Sequence, residues 1–156
     1  VLPTGGNEPK IMSEGCIGPI DESGLDQVVN RIVITSPFPH VISFTGDLGA
    51  GKTTLIRKLL QALDCPDTVS SPTFGIVNEY YTTSGTLICH TDWYRMKDAG
   101  ELVDTGILEY LHNDDCLMLV EWPQIGAALL DEEQCLHINI THDGDKRSYL
   151  FSDRLS

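Results

Sequence analysis

Gly46-Asp47-Leu48-Gly49-Ala50-Gly51-Lys52-Thr53-Thr54 satisfies the spacing G-x-x-x-x-G-K-[ST] in full, and its flanks decide the fold. The apolar run Val41-Ile42-Ser43-Phe44 enters it as a buried strand would. Leu55, Ile56, Leu59, Leu60 and Leu63 leave it at helical spacing, until Cys65-Pro66 closes the segment. Glycines are needed because successive backbone N–H groups must turn toward one anion, through angles and close approaches that a Cβ would block. The helix that follows adds its N-terminal dipole. Asp47 and the run Gly49, Ala50, Gly51, Lys52, Thr53 and Thr54 are therefore the candidate phosphate-binding residues. The Lys52 ammonium is expected at the β/γ-phosphates, and the Thr53 hydroxyl on Mg²⁺.

The rest of the chain sets limits on this reading. At 156 residues it suits one domain with a core that needs no staples. Apolar content of 41% with 21% charged residues marks a soluble globular protein, and no stretch approaches membrane-spanning length. The N-terminus lacks the basic-then-apolar order of a secretory signal, so the expected location is the cytoplasm, with no membrane partner. Cys16, Cys65, Cys89, Cys116 and Cys135 are scattered and never in C-x-x-C spacing, which encodes neither a disulfide framework nor a zinc site. The formal charge of −13 argues against a direct grip on nucleic acid, which depends on Lys and Arg. It leaves two readings of the acidity, solubility and docking to a basic partner protein.

Residues 1 to 20 carry Gly5-Gly6, Pro3, Pro9, Gly15, Gly18 and Pro19 without a period, and read as a flexible tail ahead of one domain over 21–156. Ser23 is a good cap for a helix whose face is Leu25, Val28, Val29, Ile32 and Val33, ending near Ser36-Pro37. Gly75 to Tyr81 and Thr86 to His90 form an expected hairpin, and Leu136 to Thr141 with Ser148 to Phe151 a second. Glu101 to Leu111 reads as a helix weakened by Gly106. Cys116-Leu117-Met118-Leu119-Val120 has the continuous apolar character of a strand buried on both faces. The sum is an α/β three-layer domain of the P-loop NTPase kind, its mainly parallel sheet extended by antiparallel hairpins.

Ligands in such sheets sit outside the carboxyl ends of the strands, which singles out two acids. Glu121, after Cys116–Val120, is the candidate metal carboxylate beside Thr53. Asp92 follows the other strand-like run and is the candidate for orienting water or sharing the metal through water. His90 points to the same side of an extended segment as Asp92. Arg95 reads equally as a phosphate contact and as a plain ion pair. Thr73, between Pro72 and Phe74, either delivers a hydroxyl to the metal when a γ-phosphate is bound or is a proline-stiffened turn. Trp93 and Tyr94 read as packing, and Trp122, next to the metal candidate, reads as packing by default or as a cover over the nucleotide.

Four stretches in register, Gly46–Thr54, Ser71-Pro72-Thr73-Phe74, His90-Thr91-Asp92-Trp93-Tyr94-Arg95 and Val120-Glu121-Trp122-Pro123, resemble the bacterial TsaE family over roughly residues 22 to 151. The second and third are far more specific than the loop. The resemblance implies a small ATPase, weak alone, that supports synthesis of threonylcarbamoyladenosine at position 37 of tRNAs reading codons that begin with A. It implies ATP and Mg²⁺ as cofactors. The implied partners are the threonylcarbamoyl transferase and its non-catalytic paralogue, with tRNA reached only through that complex, and hydrolysis resetting the complex between turnovers. By matching position, Mg²⁺ falls to Thr53 and Glu121, hydrolysis to Lys52 and Asp92, and the switch-like role to Thr73. Gln124 departs from the family pattern, where an acid commonly follows Glu-Trp-Pro. Two rival functions are a small-molecule or nucleotide kinase and an ATP-dependent binding module that does not hydrolyse. The kinase is disfavoured because only Arg31, Arg57, Arg95, Arg147 and Arg154 are available to surround a transferred phosphoryl group.

Overall fold

The computed structural model describes residues 14–47, 49–66 and 76–155. Its centre is built from strands largely buried on both faces. They are β2 (Val41–Thr45), β5 (Cys116–Glu121), β4 (Leu87–Asp92) and β6 (Cys135–Asp143). All pair in parallel, in the spatial order β6-β2-β5-β4. Hairpins extend this centre at both sides. β7 (Lys146–Ser152) runs antiparallel to β6, and β3 (Val77–Tyr81) antiparallel to β4. The expected mixed sheet is thus present, with helices on both faces.

One face is covered by α1 (Leu25–Val33) and α2 (Lys52–Ala62). Val28, Ile32, Leu55 and Leu59 are fully buried there against Ile42, Phe44, Leu119 and Ile138. Each such side chain contributes on the order of 1.5–3 kcal/mol by leaving water. The other face is covered by α3 (Ala99–Asp104), α4 (Ile107–Leu111) and a 3-10 segment over Pro123–Leu129. Trp93, Leu102 and Ile107 are its buried centre. At Gly126 a Cβ would lie 2.6 Å from the Trp93 ring and 2.7 Å from Leu102, so the segment can approach this closely only without a side chain.

Three local expectations change. Gly15–Ile20 is not tail but β1, the outermost strand, paired antiparallel with β7. Its glycine and proline are tolerated because an edge strand can lose ladder bonds. Gly18, at φ +121°, fits where a Cβ would sit 2.5 Å from the Arg147 carbonyl. Asp21 caps the 3-10 turn Glu22–Gly24 that precedes α1, its carboxylate accepting from the Ser23 N–H at 3.0 Å and from the Ser23 hydroxyl, so Ser23 is the capped residue and α1 follows from Gly24 without a side-chain cap. The single helix expected over 101–111 is two helices. Gly106, at φ +86°, breaks them apart and turns Ile107 and Leu111 into the core.

Candidate functional site

The glycine loop leaves the end of β2 at the centre of the sheet. A Cβ on Gly46 would lie 2.8 Å from the Ile140 carbonyl of β6, so the chain can turn here only as glycine. The Ala50 N–H donates to the Asp47 carbonyl at 2.9 Å, and Gly49 and Gly51 take φ of +83° and +95°. Gly51 caps α2, and Leu55 N–H to Gly51 carbonyl is a first-turn bond at 3.1 Å. The N–H groups of Lys52, Thr53 and Thr54 therefore belong to the start of the helix, where no intrahelical acceptor exists. Asp47, Gly49 and Thr53 are exposed, Thr54 is half-buried and Ala50 is buried.

Lys52 is 6% exposed, and its ammonium donates to the Gly46 carbonyl at 2.5 Å and the Asp47 carbonyl at 3.2 Å. It also stands 4.7 Å from the centre of the Trp122 ring. Trp122 is not core packing. It is half-buried in a left-handed conformation (φ +56°), stacks at 5.2 Å on the exposed Tyr94 and forms a wall over the loop lysine. Trp93, by contrast, is fully buried, as expected.

The strand register brings the acids to the same end. Glu121 pairs with Phe44 on one side and Asp92 on the other, so both carboxylates stand at the carboxyl ends of strands close to the loop. Alternation along the strands puts His90, Asp92 and Glu121 on the α2 face, because Ile88, Leu117 and Leu119 of that face share their parity. Glu121 is 6% exposed, and its Oε2 lies 2.8 Å from His90 Nε2. A buried carboxylate is thereby oriented by an imidazole on the next strand. Asp92 is exposed, and its Oδ1 accepts from the Tyr94 N–H at 3.0 Å. Arg95 is exposed. Thr73, with Ser71, Pro72 and Phe74, lies outside the described residues.

Two features carried no local signal in the sequence. Arg147, on β7, donates from Nε to the Ala50 carbonyl at 3.0 Å and so braces the loop from 97 positions away. A cavity of about 370 Å³ opens beside the loop, lined by Thr45, Gly46, Trp122, Asn139, Thr141 and His142 among others.

The donor set fits a Mg²⁺-bound nucleoside phosphate. Helix-start amides and one ammonium suit phosphate oxygens, while the Thr53 hydroxyl and Glu121 carboxylate are hard oxygen ligands. Among the described residues no helix is long and apolar enough to cross a membrane.

Comparison with known proteins agrees with this geometry. The family described as "Threonylcarbamoyl adenosine biosynthesis protein TsaE" matches residues 21–149. The tRNA threonylcarbamoyladenosine biosynthesis protein TsaE of Haemophilus influenzae is 42% identical over 108 residues, covering 69% of this chain and 66% of that protein. The Bacillus subtilis protein of the same name is 42% identical over 106 residues, 67% of this chain and 63% of that one. The matches thus span just under two thirds of those relatives. The crystal structure of Bacillus subtilus YdiB superposes with a TM-score of 0.60 at 28% identity, covering 88% of this chain and 82% of that one. The glycine loop, the strand-end acids and these likenesses lead to one conclusion: the chain belongs to the TsaE family.

Proposed function

We propose that this protein binds MgATP at the glycine loop and hydrolyses it slowly, in support of threonylcarbamoyladenosine formation at position 37 of tRNAs that read codons beginning with A. The observation that carries the reading is the position of Glu121, which pairs with the last part of β2 and is held by His90 at 2.8 Å. A carboxylate so placed is what a loop-bound Mg²⁺ requires.

In this reading the start of α2 holds the phosphates by main-chain N–H groups, and Lys52 leaves its carbonyl partners to meet the β/γ-phosphates. Thr53 and Glu121 would hold Mg²⁺, which when bound draws charge from the β/γ-phosphate oxygens. His90 keeps the Glu121 carboxylate turned toward the loop. Asp92, exposed at the neighbouring strand end, orients the attacking water. Trp122 excludes solvent above Lys52, and the adjoining cavity gives room to the rest of the nucleotide. The low Arg and Lys content assigns the RNA to other proteins, and the threonylcarbamoyl transferase with its non-catalytic paralogue are the proposed partners in the cytoplasm. The names of the relatives support the tRNA-modifying role.

The test is mass spectrometry of tRNA nucleosides from cells depleted of this protein. The modified nucleoside should fall on depletion, return with the wild-type chain and fail to return with Lys52→Ala. Full restoration by Lys52→Ala would overturn the reading.

A further inference from the structure

At the far end of the sheet from the glycine loop, a second set of chemistry-bearing side chains converges. Glu132 lies in a 3-10 turn over Glu132–Gln134 that leads directly into β6, and Cys135 and His137 are the first and third residues of that strand. Alternation puts both on the α3–α4 face. Their ligand atoms, one each from a carboxylate, a thiol and an imidazole, all lie within 4.8 Å of one another. Cys135 and His137 are buried, whereas the Glu132 side chain is 43% exposed and gives the cluster its opening to solvent.

We propose that Glu132, Cys135 and His137 bind a zinc-class divalent ion, separately from the nucleotide site. The donor chemistry excludes the ions that phosphate chemistry uses: Mg²⁺ and Ca²⁺ take oxygen ligands, while thiolate and imidazole suit Zn²⁺ and its borderline-soft neighbours. Bond lengths of about 2.0–2.3 Å to a tetrahedral ion place ligand atoms about 3.3–3.6 Å apart. His137 Nε2 and Glu132 Oε1 already stand at 3.2 Å, so closing the set takes a movement of about an ångström by the thiol or carboxylate.

The surrounding bonds are those that a ligand set needs. His137 Nδ1 lies 2.5 Å from Ser43 Oγ on β2, an interaction that orients the ring and, with Nδ1–H donating, leaves the Nε2 lone pair toward the cluster. Glu132 Oε2 accepts from the Leu155 N–H at 3.0 Å, which holds that carboxylate by its other oxygen. On binding an ion here Cys135 releases its thiol proton to solvent and ligates as the thiolate, and the ion ties the 3-10 turn and the Leu155 segment to β6. Three protein ligands leave one position for water. The spacing Glu-x-x-Cys-x-His contains a single cysteine, so the paired-cysteine rule that argued against zinc in the sequence does not detect it.

The proposal is independent of the ATPase reading and has its own experiment. The full chain, stripped with a chelator, is titrated with Zn²⁺ against a chromophoric competitor and, in parallel, with Co²⁺. The expected result is one equivalent bound with sub-micromolar affinity and a thiolate-to-cobalt charge-transfer band. Cys135→Ser should abolish that band. Glu132→Gln, at a half-exposed side chain, should weaken binding about tenfold or more, while Cys16→Ser leaves it unchanged. Absence of the band in the wild-type chain, or binding that Glu132→Gln leaves intact, would overturn the proposal and mark the cluster as a hydrogen-bonded triad.

Discussion

The two faces of the central sheet are built from the same strands yet are used differently. Toward α1 and α2, the interiors of the four parallel strands present only aliphatic side chains and Phe44, and their polar residues gather at one end, where His90, Asp92 and Glu121 meet the glycine loop. Toward α3 and α4, polar groups sit within the strands themselves: Ser43, Thr91 and His137 are buried among Cys89, Cys116, Met118 and Cys135. The difference follows from what each face must do. On the proposed reading, phosphate binding needs charge only where the helix-start amides point, which leaves the remainder of that face free to be apolar. The opposite face tolerates mid-strand polarity at Ser43 and His137, which partner each other at 2.5 Å.

Removing buried bulk should separate the faces most strongly. Leu102→Ala and Leu59→Ala each delete a fully buried side chain, one on each face, and should each cost about 2–5 kcal/mol in urea unfolding. Only Leu59→Ala, on the phosphate-loop helix, should also weaken MgATP binding by the folded protein; equal weakening by Leu102→Ala would break the distinction. Gly126→Ala forces a Cβ into Trp93 and Leu102, and about 1–3 kcal/mol of destabilisation by thermal melting is expected, again with nucleotide affinity unchanged. Ser43→Ala leaves the buried His137 Nδ1 without its partner and should cost about 1–3 kcal/mol, a loss in chemical denaturation that the apolar face offers no counterpart to. Lys58 and Asp26 join α2 to α1 at 3.5 Å on an open surface, so Lys58→Ala should change stability by less than about 1 kcal/mol.

How much of this was legible in the sequence depended on how local each signal was. The loop, its strand and its helix are contiguous, and the acids Glu121 and Asp92 each end an apolar run, so pattern alone named them. Thr73, named from its place between Pro72 and Phe74, lies outside the described residues. β1 was misread because Gly18 and Pro19 look like loop punctuation until β7 supplies an edge to pair with. For Trp122 the sequence leaves packing and covering the nucleotide as alternatives, because the left-handed backbone that turns it over Lys52 has no sequence signature. Arg147 braces the loop through a contact that only the β6–β7 hairpin creates, and Glu132, Cys135 and His137 meet only because a 3-10 turn delivers the carboxylate to the strand.

The central claim is that main-chain amides, Lys52, Thr53 and Glu121 together hold a nucleoside triphosphate and its metal. Isothermal titration of MgATP into the purified chain, repeated with Lys52→Ala and Glu121→Gln, tests it most directly. The account expects one site whose affinity falls about 100-fold or more with Lys52→Ala, and a loss with Glu121→Gln that is large with Mg²⁺ present and small without it. Wild-type protein that binds no MgATP, or equal affinities for all three proteins, would contradict it.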